Sequence, residues 1–145
     1  MTGKLFLWLS IGLFALLPVN FQQANDEAKT IEGTWILMTA ELNGRKMPDQ
    51  GFKDTELVLT DGRYTYQNDH GAYKLVANDD TKAPKAMDIT GTEGPNKGKT
   101  FLAIYELKGE TLRICYDLAG KTRPSEFATK AGTMQFLAVY KKAKS

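Results

Sequence analysis

KAMDITGTEGPNKGKTFLAIYELKGETLRICYDL, Lys85 to Leu118, decides the fold. It divides into three runs, KAMDIT, TFLAIYEL and TLRICYDL, joined by the glycine-rich GTEGPNKGK and by a tight turn at Lys108-Gly109-Glu110. Apolar residues alternate with polar ones in the first and third runs, and β-branched and aromatic side chains are frequent, so all three are predicted strands. In the third run Leu112, Ile114 and Tyr116 are expected to point inward, with Thr111, Arg113, Cys115 and Asp117 on the opposite face. TFLAIYEL is apolar on both sides.

The same pattern extends outward from this stretch. Gly33-Thr34-Trp35 opens the strand TWILMTAEL, which Asn43-Gly44 ends, and Arg45 to Lys53 reads as an irregular crossing segment. ELVLT and RYTYQ flank Asp61-Gly62, the dipeptide of a tight hairpin whose two central residues need positive φ. Asn68-Asp69-His70-Gly71 is expected to turn the chain into AYKLVA, and Asn78 to Pro84 to form a polar loop. Downstream, Ala119 to Thr133 is a longer excursion before the final strand TMQFLAVYKK. That makes about eight strands and almost no helical periodicity beyond a turn at DEAKT. The expected fold is all-β, an eight-stranded antiparallel up-and-down barrel, because closure removes the exposed sheet edges.

The N-terminus differs in kind. Lys4 precedes an uncharged run, Leu5 to Leu17, as long as the apolar region of a secretory signal and shorter than the roughly 20 residues of a membrane span. Pro18 follows, and Ala24 offers a cleavage point. Residues 1–24 are therefore expected to be a signal peptide and residues 25–145 the barrel domain, exported to the periplasm or the extracellular space, with a retained N-terminal anchor as the alternative. Cys115 is the single cysteine, so no intramolecular disulfide forms and the thiol is expected to pack as a small hydrophobe.

Composition limits the function. Of 145 residues 42% are hydrophobic and 25% charged, which suits one soluble domain with a core of its own. The net charge of +2 is spread along the chain without a basic stripe, so no nucleic-acid partner is expected. Gly98-Lys99-Thr100 resembles the end of a phosphate-binding P-loop, but Glu93 stands where its first glycine belongs and a strand follows instead of a helix. The loop is instead expected to be a flexible link at the rim of a binding site. His70 is the only histidine and is expected in a solvated turn, which leaves no two-histidine metal site and no triad. Asp88, Glu93, Glu106, Asp117 and Glu126 could supply a carboxylate pair, but nothing in the sequence sets two of them across a cleft. No catalytic residue, metal site or cofactor is expected, and the protein is not read as an enzyme.

A binding role remains. If the polar face of TLRICYD turns inward, Arg113 anchors a carboxylate in the barrel and Tyr64, Tyr66, Tyr73, Tyr105 and Tyr116 line its wall. If it faces solvent, the tyrosines pack as core.

Gly33-Thr34-Trp35 resembles the G-x-W signature of the lipocalins. GTWILMTAELNG, PKAMDITGTEGPNKGKT, LAIYELKGETLRICY and RPSEF are together similar to a family of small exported lipocalin-like domains abundant in planctomycete bacteria. The resemblance covers roughly residues 31–142 and implies the barrel and export, with no catalytic residues. It further implies a basic residue across Trp35; Arg123 is assigned to this structural signature with Gly33 and Trp35, and Lys141 and Lys142 are the other candidates. The disulfides and packed helix of larger lipocalins are not evident. The expected protein is a monomer holding a small apolar or amphipathic ligand, with a mouth rimmed by Gly91 to Lys99 and Ala119 to Thr133. A filled barrel acting as an interaction or inhibitor module is the alternative.

Overall fold

The computed structural model describes residues 21–77 and 83–145. Among the described residues nine strands form one antiparallel sheet: β1 (Gly33–Leu42), β2 (Arg45–Lys46), β3 (Glu56–Thr60), β4 (Arg63–Tyr66), β5 (Asp69–Val76), β6 (Lys85–Glu93), β7 (Thr100–Lys108), β8 (Thr111–Asp117) and β9 (Gln135–Lys142). From β3 to β9 each strand pairs with the next in sequence. β1 closes the ring by using its two ends differently: Gly33 to Ile36 pair with β3, and Trp35 to Leu42 pair with β9. The result is a closed barrel of eight strands, with β2 a short flap on the far end of β1.

The local chemistry follows the sequence at most turns. Asn43-Gly44 and Asp61-Gly62 both take positive φ at both positions, 55° and 73° and then 49° and 72°, as two-residue hairpins require. The turn expected at Asn68 to Gly71 lies earlier. Tyr66 pairs with Asp69, so Gln67-Asn68 makes the turn and Asp69, His70 and Gly71 already belong to β5. Asp69, Gly71 and Tyr73 consequently share the inward face, and all three are buried.

The closed end is built on a helix that the sequence reading lacks. α1 (Phe21–Ile31) replaces the single turn expected at DEAKT, and the cleavage point expected at Ala24 falls inside it. Residues 1–20 of the expected signal, and residues 78–82 of the expected polar loop, lie outside the described residues. Ile31 is fully buried, and its carbonyl accepts the indole N–H of Trp35 at 2.9 Å. The Lys142 ammonium lies 4.6 Å from the Trp35 ring centroid and donates to the Glu32 carbonyl. Gly33 has a φ of 126°, which L side chains rarely adopt, and a Cβ there would come within 2.8 Å of that ammonium and displace it. Lys142, not Arg123, is therefore the cation across the tryptophan.

Ala119 to Thr133 also departs from expectation. None of its residues lines the interior; the segment is a strap across the outer face of the barrel. Phe127 packs on a second apolar cluster of Ile104, Cys115 and Leu137, which explains why β7 is apolar on both sides. Cys115 is fully buried there, its Sγ 3.7 Å from the Ala128 carbonyl, and burial pushes the thiol pKa up. Arg123 fastens the strap: Nη1 donates to the Met87 and Ala103 carbonyls at 3.0 and 2.7 Å, and Nη2 to Asp88 Oδ1 at 2.6 Å. A carbonyl oxygen has two lone pairs, so it can accept such a bond as well as one within the sheet.

Arg123→Ala is expected to cost about 1–3 kcal/mol, since it removes charge-assisted bonds that are partly exposed. Thiol labelling of Cys115 under native conditions should accelerate at least as much as global stability falls. Unchanged labelling and an unchanged urea midpoint would show that the strap is held elsewhere. Among the described residues no helix is long and apolar enough to cross a membrane.

Candidate functional site

Alternation along the strands sends two sets of side chains into the barrel. The lower set fills it: Trp35, Leu37, Tyr105 and Leu112 are buried in one continuous core with Ile31. The upper set does not fill it. A cavity of about 140 Å³ remains between β3 and β9, open toward the end that carries the glycine-rich loop. Leu57, Leu59, Met87, Ile114 and Tyr140 contribute to its lining. Phe101, Tyr116 and Phe136 form one wall of tilted rings, with centroids 5.6 and 5.4 Å apart along the row. Tyr64, Tyr66, Tyr73 and Ile89 supply the opposite side.

Among the described residues one charged side chain lines the cavity. Asp69 is 8% exposed; its Oδ2 accepts the Tyr64 hydroxyl at 3.1 Å and the Asn96 side-chain amide at 2.7 Å, and its Oδ1 accepts the Asn96 backbone N–H at 3.3 Å. Among the described residues no lysine or arginine forms an ion pair with it. Burial, then the charge of Asp69, pushes the Tyr64 phenol up to about 12. Burial also raises Tyr116 and Tyr140; neighbouring Tyr66 adds to both, and Tyr64 and Asp69 add to Tyr116. Five phenol groups and one carboxylate therefore line a common space.

Asn96 arrives from the glycine-rich loop, which is a tightly bonded cap, not a flexible link. Gly91 N–H donates to Lys99 and Gly98 N–H to Gly91, both at 2.9 Å, and Lys99 N–H returns to Asn96 at 3.0 Å. A Cβ on Gly91 would stand 2.0 Å from the Asn96 carbonyl oxygen, and one on Gly94 2.2 Å from that of Asn68. The glycines let the loop fold back on the mouth and present Asn96 to Asp69.

The expected site residues divide. Tyr64, Tyr66, Tyr73 and Tyr116 meet at the cavity. Tyr105 lies below it, where burial and the Glu27 carboxylate of α1 raise its pKa. Arg113 is on the outer face: its guanidinium binds Glu106 at 2.8 Å and lies 4.2 Å over the Phe127 ring, so it clamps the strap and reaches no interior ligand. The inward register of Leu112, Ile114 and Tyr116 matches the expectation. Asp69, Asn96 and Tyr140 were missed as site residues. The clue to Asp69 was the two-residue spacing to Gly71 and Tyr73; the assumed turn hid it.

Three of the candidate carboxylates are held structurally. Asp88 is bound by Arg123, Glu106 by Arg113, and Asp117 accepts the Ala119 N–H at 3.0 Å. His70 lies on β5 with Nδ1 3.3 Å from Thr65 Oγ1. Among the described residues no three His, Cys, Asp or Glu side chains converge as a metal site. Comparison with family models, characterised proteins and solved structures gives no match.

Proposed function

We propose that this chain is an exported, non-enzymatic, lipocalin-like binding protein that takes a small apolar or amphipathic ligand into the upper half of its barrel as a monomer. The observation that carries this is the cavity of about 140 Å³, walled by aromatic and aliphatic side chains with a few polar groups at its mouth. Ligand sites commonly combine those features. The volume sets the ligand's size: apolar cavities of roughly 150 Å³ accept benzene, whereas drug-sized pockets run from roughly 300 Å³ upward. A single ring or a short branched chain fits, and a fatty acid or retinoid does not. Export rests on the apolar run after Lys4.

The test is a two-dimensional NMR titration with ligands of graded size. Toluene and phenol should shift resonances of Ile89, Phe101 and Phe136, while palmitate leaves them in place. If no small ring shifts them, the binding role is wrong and the filled-barrel interaction module becomes the better description.

A further inference from the structure

The polarity of the cavity is one-sided. Among the described residues that line it only Asp69 carries a charge, and none is a lysine, arginine or histidine. Three neutral donors meet the Asp69 carboxylate, and Oδ1 receives only the long bond from Asn96. Neutral hydrogen bonds hold a carboxylate in place without cancelling its charge, and an ionised carboxylate has about four acceptor positions. One acceptor position thus remains for a donor from a ligand. The same cavity is lined by aromatic rings, whose faces carry negative electrostatic potential, and by phenol oxygens.

We infer that the ligand is a small organic amine, its ammonium group set against Asp69 at the mouth and its apolar body among Phe101, Tyr116 and Phe136. This rests on the binding role proposed above and specifies the chemistry of that site. A cation entering a largely apolar space must recover its hydration energy from a counter-charge and from ring faces, and this site offers both. An anionic ligand of the same shape meets the Asp69 charge with no basic group to offset it. A neutral one gains the apolar contacts and at most one hydrogen bond to Asp69, without the opposing charge. The size of the cavity confines the choice to amines on a single ring or a short branched chain.

Three isosteres decide the matter: benzylamine, benzyl alcohol and benzoate, titrated calorimetrically at pH 7 into the full barrel domain and into its Asp69→Asn variant. Benzylamine should bind the unaltered protein roughly 10–100-fold more tightly than benzyl alcohol, because both can donate to Asp69 but only the ammonium also brings the opposing charge, and benzoate should bind most weakly. Asp69→Asn should remove most of the amine's advantage over the alcohol. Equal binding of alcohol and amine by the unaltered protein overturns the amine assignment and leaves the apolar binding role standing. Binding of none of the three overturns both. The ranking in the unaltered protein decides even if the variant fails to fold.

Discussion

Trp35→Ala is expected to remove about 3–5 kcal/mol of stability, the range for truncating a large aromatic in a core. Three separate contributions are lost at once. The indole is fully buried against Ile31, its N–H satisfies the Ile31 carbonyl, and its face supports the Lys142 ammonium. Since a domain of this size has roughly 5–15 kcal/mol in total, the variant should sit close to its threshold. Urea denaturation followed by circular dichroism measures the loss. Trp35→Phe separates the terms: most of the burial survives, but the Ile31 carbonyl is left unpaired, for a cost of about 1–3 kcal/mol. A loss below about 1 kcal/mol for the alanine variant would be incompatible with a packed closed end.

Gly91→Ala is expected to have the largest effect at the other end. The new methyl would overlap the Asn96 carbonyl oxygen at 2.0 Å and its carbon at 2.4 Å, and both are backbone atoms that cannot rotate away. Overpacking of this kind costs about 1–3 kcal/mol, and the clash with backbone puts this case at the upper end. The loop must lift, and Asn96 then leaves Asp69. Affinity for a cavity ligand should fall together with stability, and the resonances of Asn96 and Tyr64 should move even though neither was mutated. Gly98→Ala is the control, because a Cβ there meets nothing within 4 Å; its φ of 79° adds only a local cost. Equal affinities for the two variants would show that the loop is not part of the mouth.

The barrel was legible because its evidence is periodic. Leu112, Ile114 and Tyr116 alternate with polar neighbours, and Asp61-Gly62 carries the conformation of its turn in its own composition. What escaped lies where a residue's role depends on something distant in sequence. Arg113 and Arg123 are both arginines near an apolar strand; only the course of the strap turns the first toward Phe127 and the second toward the Met87 and Ala103 carbonyls. Cys115 and Ile104 sit on the outward register yet are buried, because a segment without regular structure covers them. Asp69 was obscured by a shift of two residues in a turn, which by the period of a strand leaves the inward face unchanged but moves a carboxylate from solvent into the wall. The glycine-rich loop had the right position and the wrong character: its glycines serve close backbone approach, as the short distances at Gly91 and Gly94 show.

The seam between β1 and β9 has a kinetic consequence. Leu37 pairs with Tyr140 and Leu42 with Phe136, partners separated by roughly 100 positions along the chain. Such non-local pairing raises the contact order and places folding in the millisecond-to-second range, slower than a helical chain of equal length. Until β9 has left the ribosome, β1 and β8 each lack the partner that covers an edge, and Trp35 lacks the Lys142 that lies over it. A nascent chain therefore cannot complete its barrel early, and it stays unclosed until its last strand is made.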